Sequence, residues 1–189
     1  MPRNRTHEAL RSATLDCHER VDEIYSAANL SDPASYGSFL RAQAAAYLPV
    51  EAALDNAEIA GIIEDWPARV RGPLLVKDLA DLGIESPLPI ELPAFSGLAE
   101  MLGALYVLEG SRFGGKLLKL SVPAHLPTRF LADGGSASWR SLLSLIDGML
   151  DTAERLRRAV AAARGVFSLF EDSGTLYLSG RACQVTARR

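Results

Sequence analysis

Two residue patterns in this chain could do chemistry. The first is a histidine, His18, in the middle of a stretch where Leu10, Ala13, Cys17, Val21, Ile24 and Ala28 recur at three- and four-residue steps. That spacing marks an amphipathic helix. Thr14, Val21 and Asp22 lie one turn from His18, so the imidazole borders the apolar face. A neutral imidazole can bind a transition metal through one ring nitrogen. Arg11 precedes it by seven residues, nearly two turns or about 10.5 Å along the axis, on almost the same face. A cation there could pair with an anionic group at the rim of a large flat ligand whose metal sits at its centre. A packed core histidine is the competing reading of the same position.

The second pattern is LYVLEGSRFGGKLL, Leu105 to Leu118, which reads as helix yet holds Gly110, Gly114 and Gly115. Each interior glycine costs a helix about 1 kcal/mol relative to alanine, so three cost about 3 kcal/mol. Gly103, Gly110 and Gly114 are spaced by seven and four and share one face, with Ala104, Ser111 and Gly115 as an adjoining small-residue row. A face without side chains lets another body come close to the backbone. That body is either a second helix or a flat ligand, and haem has the shape the histidine and arginine ask for.

These groups need elements to position them. Asp32-Pro33 reads as a helix start, proline being tolerated at the first position. Tyr36, Phe39, Leu40, Gln43, Tyr47 and Val50 carry that second helix to about Leu54, with Pro49 as a kink. Trp66-Pro67 opens a third region, whose stripe of Leu74, Leu75, Leu79 and Leu82 stops at Gly83. SPLPIELPAF, residues 86 to 95, holds three prolines and reads as a connection. A long helix follows over about Ser96 to Leu120 and contains the glycines. Residues 121–137 read as loop with a short helix near Thr128 to Leu131. Ser138 is placed to cap a last helical region from Trp139 to about Glu171, with Gly148 as a break, and the tail 172–189 is free to fray. No alternating strand pattern occurs. The expectation is one compact all-α domain over residues 1–189, with six to eight helices.

LRSATLDCHERVD, Leu10 to Asp22, followed much later by GALYVLEGSRFGGKLL, resembles the bacterial biliverdin-producing haem oxygenases. That family has an LRxxTxxxHxxvD-like first helix and an LYVxEGSxLGG-like later one. YGSFLRAQAAAYLPVEAAL, LLVKDLADLG and WRSLLSLID resemble its intervening and following stretches in the same order. The resemblance implies a multi-helical haem-oxygenase-like fold with haem between the first helix and the glycine-bearing helix. It implies His18 as the proximal iron ligand, and Gly110, Gly114 and Gly115 as the distal backbone over the other face. It sets Arg11 near the propionates, and Val21 and Phe167 along the pocket. Ser111 stands where other members carry an aspartate, and a hydroxyl cannot supply that carboxylate's charge. Phe113 replaces a commoner leucine. Arg112 points to solvent or reaches for a propionate, and Arg140, in the WR pair, is a propionate contact or a surface arginine. Glu19 or Glu23 is positioned to orient the second nitrogen of His18, directly or through water.

The activity the resemblance implies is reductive activation of O2 on haem and opening of the ring to biliverdin, CO and Fe2+. No GxGxxG follows a predicted strand, so electrons are expected from a separate reductase or ferredoxin. The pigment would pass to a bilin-binding photoreceptor downstream or be a by-product of iron release. A non-catalytic haem carrier or sensor on the same fold stays open as an alternative. A di-iron site does not fit, since it wants ExxH pairs and Asn4, Leu15 and Val122 stand three residues before the three histidines. His7 is expected to fray in the first turn, and His125 to lie on the surface. The net charge of −3, with arginines spread along the chain, speaks against nucleic acid. No run is apolar for the roughly 18 residues a membrane span needs, and MPRNRTHEALRS lacks the apolar core of a signal peptide. Cys17 and Cys183 form no CxxC pair, which fits a reducing cytoplasm.

Overall fold

A computed structural model describes residues 5–88, 92, 94–132 and 139–179. Among them the secondary structure is helical: α1 (Arg5–Ser26), α2 (Pro33–Asn56), α3 (Gly72–Asp81), α4 (Leu98–Lys119), α5 (Arg129–Ala132), α6 (Trp139–Met149) and α7 (Ala153–Leu178). Two 3-10 turns, Ile59–Gly61 and Trp66–Ala68, lie between α2 and α3. No helix among the described residues is long and apolar enough to cross a membrane.

The expected boundaries hold closely where local chemistry sets them. The Asp32 carboxylate accepts the Ser35 amide at 2.7 Å, capping α2 ahead of Pro33. α2 continues through Pro49 as one helix. α3 ends on Gly83 at φ +69°, where the Ile84 amide reaches the Leu79 carbonyl and the Gly83 amide reaches that of Ala80. This is the paired closure that needs a left-handed residue after the cap. The final helical region divides into α6 and α7 just beyond Gly148, and Thr152 caps α7 by accepting the Arg155 amide at 3.2 Å. α7 then continues to Leu178, so residues 172–178, read as a fraying tail, are helix. The cap assigned to Ser138 and the tail beyond Ser179 lie outside the described residues.

α7 packs against α1, α2 and α4 and forms the centre of the assembly. Its buried face, Ala159, Ala163, Val166, Phe167 and Phe170, meets Leu10 and Cys17 of α1, Tyr36, Phe39 and Tyr47 of α2, and Leu102 and Leu105 of α4. The small residues are placed where helices approach most closely. A Cβ on Gly103 would lie 2.1 Å from the Ala159 carbonyl oxygen. A Cβ on Gly174 would lie 2.6 Å from Ile24 Cγ2. Thus Gly103, grouped by spacing with Gly110 and Gly114, is the packing glycine of α4.

Backbone cannot move aside as a flexible side chain can, which gives a test of this seam. Gly103→Ala is expected to destabilise the protein by about 2 kcal/mol, read as a lower midpoint in urea unfolding.

Candidate functional site

α1 and α4 rest side by side on α7 and leave a cavity of about 750 Å³ between them. α1 supplies Arg11, His18, Val21 and Asp22, and α4 supplies Tyr106, Gly110, Ser111, Phe113, Gly114 and Gly115. Phe167 of α7 lies at the back and Trp139 of α6 closes one edge.

His18 keeps a side chain 61 % exposed at this cavity. Its ring meets Phe167 edge-on at 6.0 Å between centroids. Its Nδ1 lies 2.9 Å from Asp22 Oδ2. With Nδ1–H donating to that carboxylate, the neutral ring carries its free lone pair on Nε2. The orienting carboxylate is therefore Asp22, not Glu19 or Glu23. Four residues turn a helix through about 400°, nearly back to the starting face, whereas one or five residues leave the side chain pointing well away.

The opposite wall is bare. Nothing lies within 4 Å of a Cβ built on Gly114, and only Trp139 Cη2 reaches 4.0 Å from one on Gly110. These two glycines face open space. Gly115 lines the cavity too, but its Cβ position lies 3.4 Å from the Leu131 carbonyl oxygen, so it also admits α5.

Ser111 is committed. Its hydroxyl donates to the Leu108 carbonyl at 2.6 Å and accepts from Arg71 Nη2 at 2.8 Å. With its one proton used on the carbonyl, Ser111 offers a ligand no hydrogen in this arrangement. The donor at that wall is Arg71, a buried residue that lines the cavity. Its Nη2 also reaches the Leu108 carbonyl at 3.0 Å and its Nε the Tyr47 hydroxyl at 3.2 Å. The guanidinium lies over the rings of Tyr47 and Phe130, 5.0 and 4.7 Å from their centroids. Burial pushes the Tyr47 phenol up to about 12, which keeps it a neutral partner. Glu51 fixes the backbone here, accepting the amides of Arg71 at 2.7 Å and Gly72 at 2.9 Å. Burial raises the Glu51 carboxyl above its ordinary pKa, and those two amides pull it back. Sequence reading passed over Arg71, because an arginine before a Gly-Pro helix start looks like any surface residue.

One arginine departs from expectation, and a second takes the surface alternative of its two readings. Arg112 reaches neither solvent nor the cavity. It is buried, donating from Nε to Glu109 Oε1 at 2.9 Å and from Nη2 to the Arg69 carbonyl. Glu109 in turn accepts from Arg69 Nη1 at 2.7 Å, and Arg69 grips Asp65 at 2.7 and 2.8 Å. Arg112 belongs to this ionic chain behind α4, because position 112 faces away from the bare wall. Arg140 is exposed on α6 and lies outside the cavity lining. Its neighbour Trp139 lines the edge instead, 5.6 Å from the ring of Tyr106 and 5.5 Å from that of Phe113.

The same edge holds His7, 5.9 Å from Tyr106 and 6.1 Å from Trp139, so the first turn of α1 is packed where fraying was expected. Burial raises the Tyr106 phenol and the positive charge of Arg11 opposes that shift, so Arg11 acts on this end of the cavity. His125 is exposed, as read. Arg11 and His7 thus mark one rim and Asp22 lies further along α1, with mostly apolar surface between them.

No family model matches the chain. Heme oxygenase PigA of Pseudomonas aeruginosa is 32% identical over 186 residues, covering 88% of this chain and 92% of that protein. A heme oxygenase of Xanthomonas campestris is 36% identical over 112 residues, covering 56% of this chain and 67% of that protein. The structure is similar to the crystal structures of NO- and CO-bound heme oxygenase from Neisseria meningitidis. The TM-score is 0.78 at 25% identity, over 92% of each chain. A histidine-bearing helix facing a glycine-bearing one across a single cavity, with relatives matched over most of their length, leads to one assignment: the chain belongs to the haem oxygenase family.

Proposed function

We propose that the cavity binds haem through His18 and that the protein opens the macrocycle oxidatively to biliverdin, CO and Fe2+. The observation that carries this reading is the pairing of an imidazole, its Nε2 free, with a wall of backbone whose glycine Cβ positions meet open space. The volume of about 750 Å³ falls in the range of ligand sites. Among the described residues no group of three or more His, Cys, Asp or Glu is placed to hold a metal ion. A metal at His18 therefore draws its other donors from the ligand that brings it, as a macrocycle does. Bound there, haem would supply the redox chemistry, O2 activation at its iron and its own ring as the carbon oxidised.

The residues divide the remaining work. His18 holds iron through a neutral imidazole, which lacks the strong electron push by which a thiolate favours O–O cleavage. Asp22 fixes the tautomer and the orientation of that ligand. Gly110, Gly114 and Gly115 keep the opposite wall low, which leaves room for a small diatomic and water. Arg71, held by Ser111, Leu108 and Tyr47, is the fixed donor beside that space. Arg11 and His7 receive the carboxylate rim, while Val21, Phe113, Phe167 and Trp139 cover apolar ring surface. Electrons come from a separate ferredoxin or reductase, and the bilin passes to a photoreceptor or is discarded after iron release. We assign one domain over residues 1–189, supported by α7 touching three other long helices, and a cytoplasmic setting, supported by Cys17 being a free thiol.

Reconstitution with haem followed by a chemical reductant under air tests the reaction. The Soret band should decay while a biliverdin band grows in the presence of catalase. A Soret band that persists favours a haem carrier. His18→Ala should abolish the histidine-ligated ferric spectrum, and an unchanged spectrum removes His18 from the iron. Gly114→Ala separates ligand space from packing. It should stabilise the ligand-free protein by about 1 kcal/mol, because alanine is the better helix former and meets nothing, yet weaken haem binding in a titration.

A further inference from the structure

His18 sits on a helix that must hold one roll angle about its own axis if Nε2 is to point at a fixed place. α1 is seated on α7 by Cys17, 2 % exposed, and by Ile24 and Tyr25, which close over Gly174. These contacts are apolar apart from the hydrogen bond between the Tyr25 and Ser173 hydroxyls, 3.0 Å apart and about two turns beyond His18, so directional restraint beside His18 itself has to come from elsewhere. A directional restraint is found on the flank away from the cavity. Asp16 accepts from Arg164 Nη1 at 2.8 Å and Nη2 at 2.9 Å, and from Arg20 Nη1 at 3.0 Å. Arg20 also grips Glu171 through Nε at 3.1 Å and Nη2 at 3.0 Å. Arg164 Nη1 adds a bond to the Ala13 carbonyl at 2.8 Å. Two rungs therefore join α1 to α7, each a two-pronged guanidinium–carboxylate pair, which fixes angle as well as distance.

Their place on the helix gives them leverage. Asp16 and Arg20 stand two residues before and after His18, each about 160° round the axis from it at 3.6 residues per turn. The ladder and the imidazole thus lie on opposite sides of the seam, and any roll that lifts one lowers the other. On α7, Phe167 lies between Arg164 and Glu171 and meets the His18 ring edge-on. We propose that the Asp16–Arg164 and Arg20–Glu171 ladder is the positioning device of the proximal ligand, acting across α1 to set the aim of His18. Single exposed pairs contribute little to stability, so the effect belongs in ligand geometry more than in folding.

The inference rests on His18 being the iron ligand, and the experiment separates the two. Wild type, Asp16→Asn and Asp16→Glu are loaded with haem, and the ferrous iron–histidine stretching band is recorded by resonance Raman beside turnover and Tm. In Asp16→Asn the band should shift and broaden, with turnover reduced about tenfold, as expected of a misplaced reacting geometry. Asp16→Glu should recover most of both. Should Asp16→Asn fail to fold, Glu171→Gln, which removes only the second rung, carries the same measurement. A wild-type band and rate in a variant whose Tm alone has fallen makes the ladder merely structural and overturns the inference. Absence of any iron–histidine band in the wild type overturns the reading of the site and the inference with it.

Discussion

The site depends on one packing constraint: α1 and α4 are each pressed against α7 while scarcely touching each other. Close approach on α4 is secured by Gly103 against the Ala159 backbone, and on α1 by Gly174 beneath Ile24 and Tyr25. Both seams use an absent side chain to bring helices together, and the cavity is the space that remains between them. A ligand filling that space would replace interhelical packing that the protein has not made for itself. Close-packed cores leave few such gaps, so a cavity of about 750 Å³ is space that a ligand, not the fold, accounts for.

Buried charge marks a second division between scaffold and site. Behind α4, Arg69, Arg112 and Glu109 satisfy one another, with Asp65 at the margin. Such a chain is costly to bury and more costly to break, and it holds α4 against the turn that precedes α3. Arg71 is different. Among the described residues no carboxylate accepts a hydrogen bond from its guanidinium, which is held by a carbonyl, two hydroxyls and two ring faces. The hydrogen-bond partners of its guanidinium are neutral, the nearby Glu51 carboxylate is spent on the backbone amides, and one edge of Arg71 lines the cavity. A buried cation in that state has field left over for a ligand, which a guanidinium already paired with carboxylate would not.

Sequence reading recovered the helices because their determinants are local. Asp32-Pro33, Gly83 and the α1 periodicity each act within a turn or two. His18, Arg11, Phe167 and, on α4, Gly110, Gly114 and Gly115 were legible as residues, and the cavity brings them together. What sequence could not give is partnership across distance. Arg112 looks like a surface residue until Arg69, more than forty positions earlier, supplies its second partner. Arg140 and Trp139 differ by one residue, which is about 100° of helix, and only the tertiary setting of α6 decides which faces the cavity. Gly103 and Gly110 share a spacing and a face, yet one meets backbone and the other meets space. Asp22 was within reach of the helical rule, since it lies on the face of His18 one turn on.

The glycines of α4 now have separate physical reasons for their cost. Gly103 lets two backbones meet, Gly115 admits α5, and Gly110 and Gly114 are open to the cavity. Lost helix propensity at Gly103 and Gly115 is offset by packing in the same half of the molecule. At Gly110 and Gly114 little fills the space, and the stretch is held from behind instead, by Arg112 on Glu109 and the Arg69 carbonyl and by Ser111 on Arg71. The wall of the cavity is bare on its inner side and anchored on its outer one. Glycine at two positions of a helix anchored from behind thus makes room for a flat ligand without unseating the wall. On the facing wall, polar restraint is concentrated around His18, whose imidazole is held by the Asp22 carboxylate and the edge of Phe167.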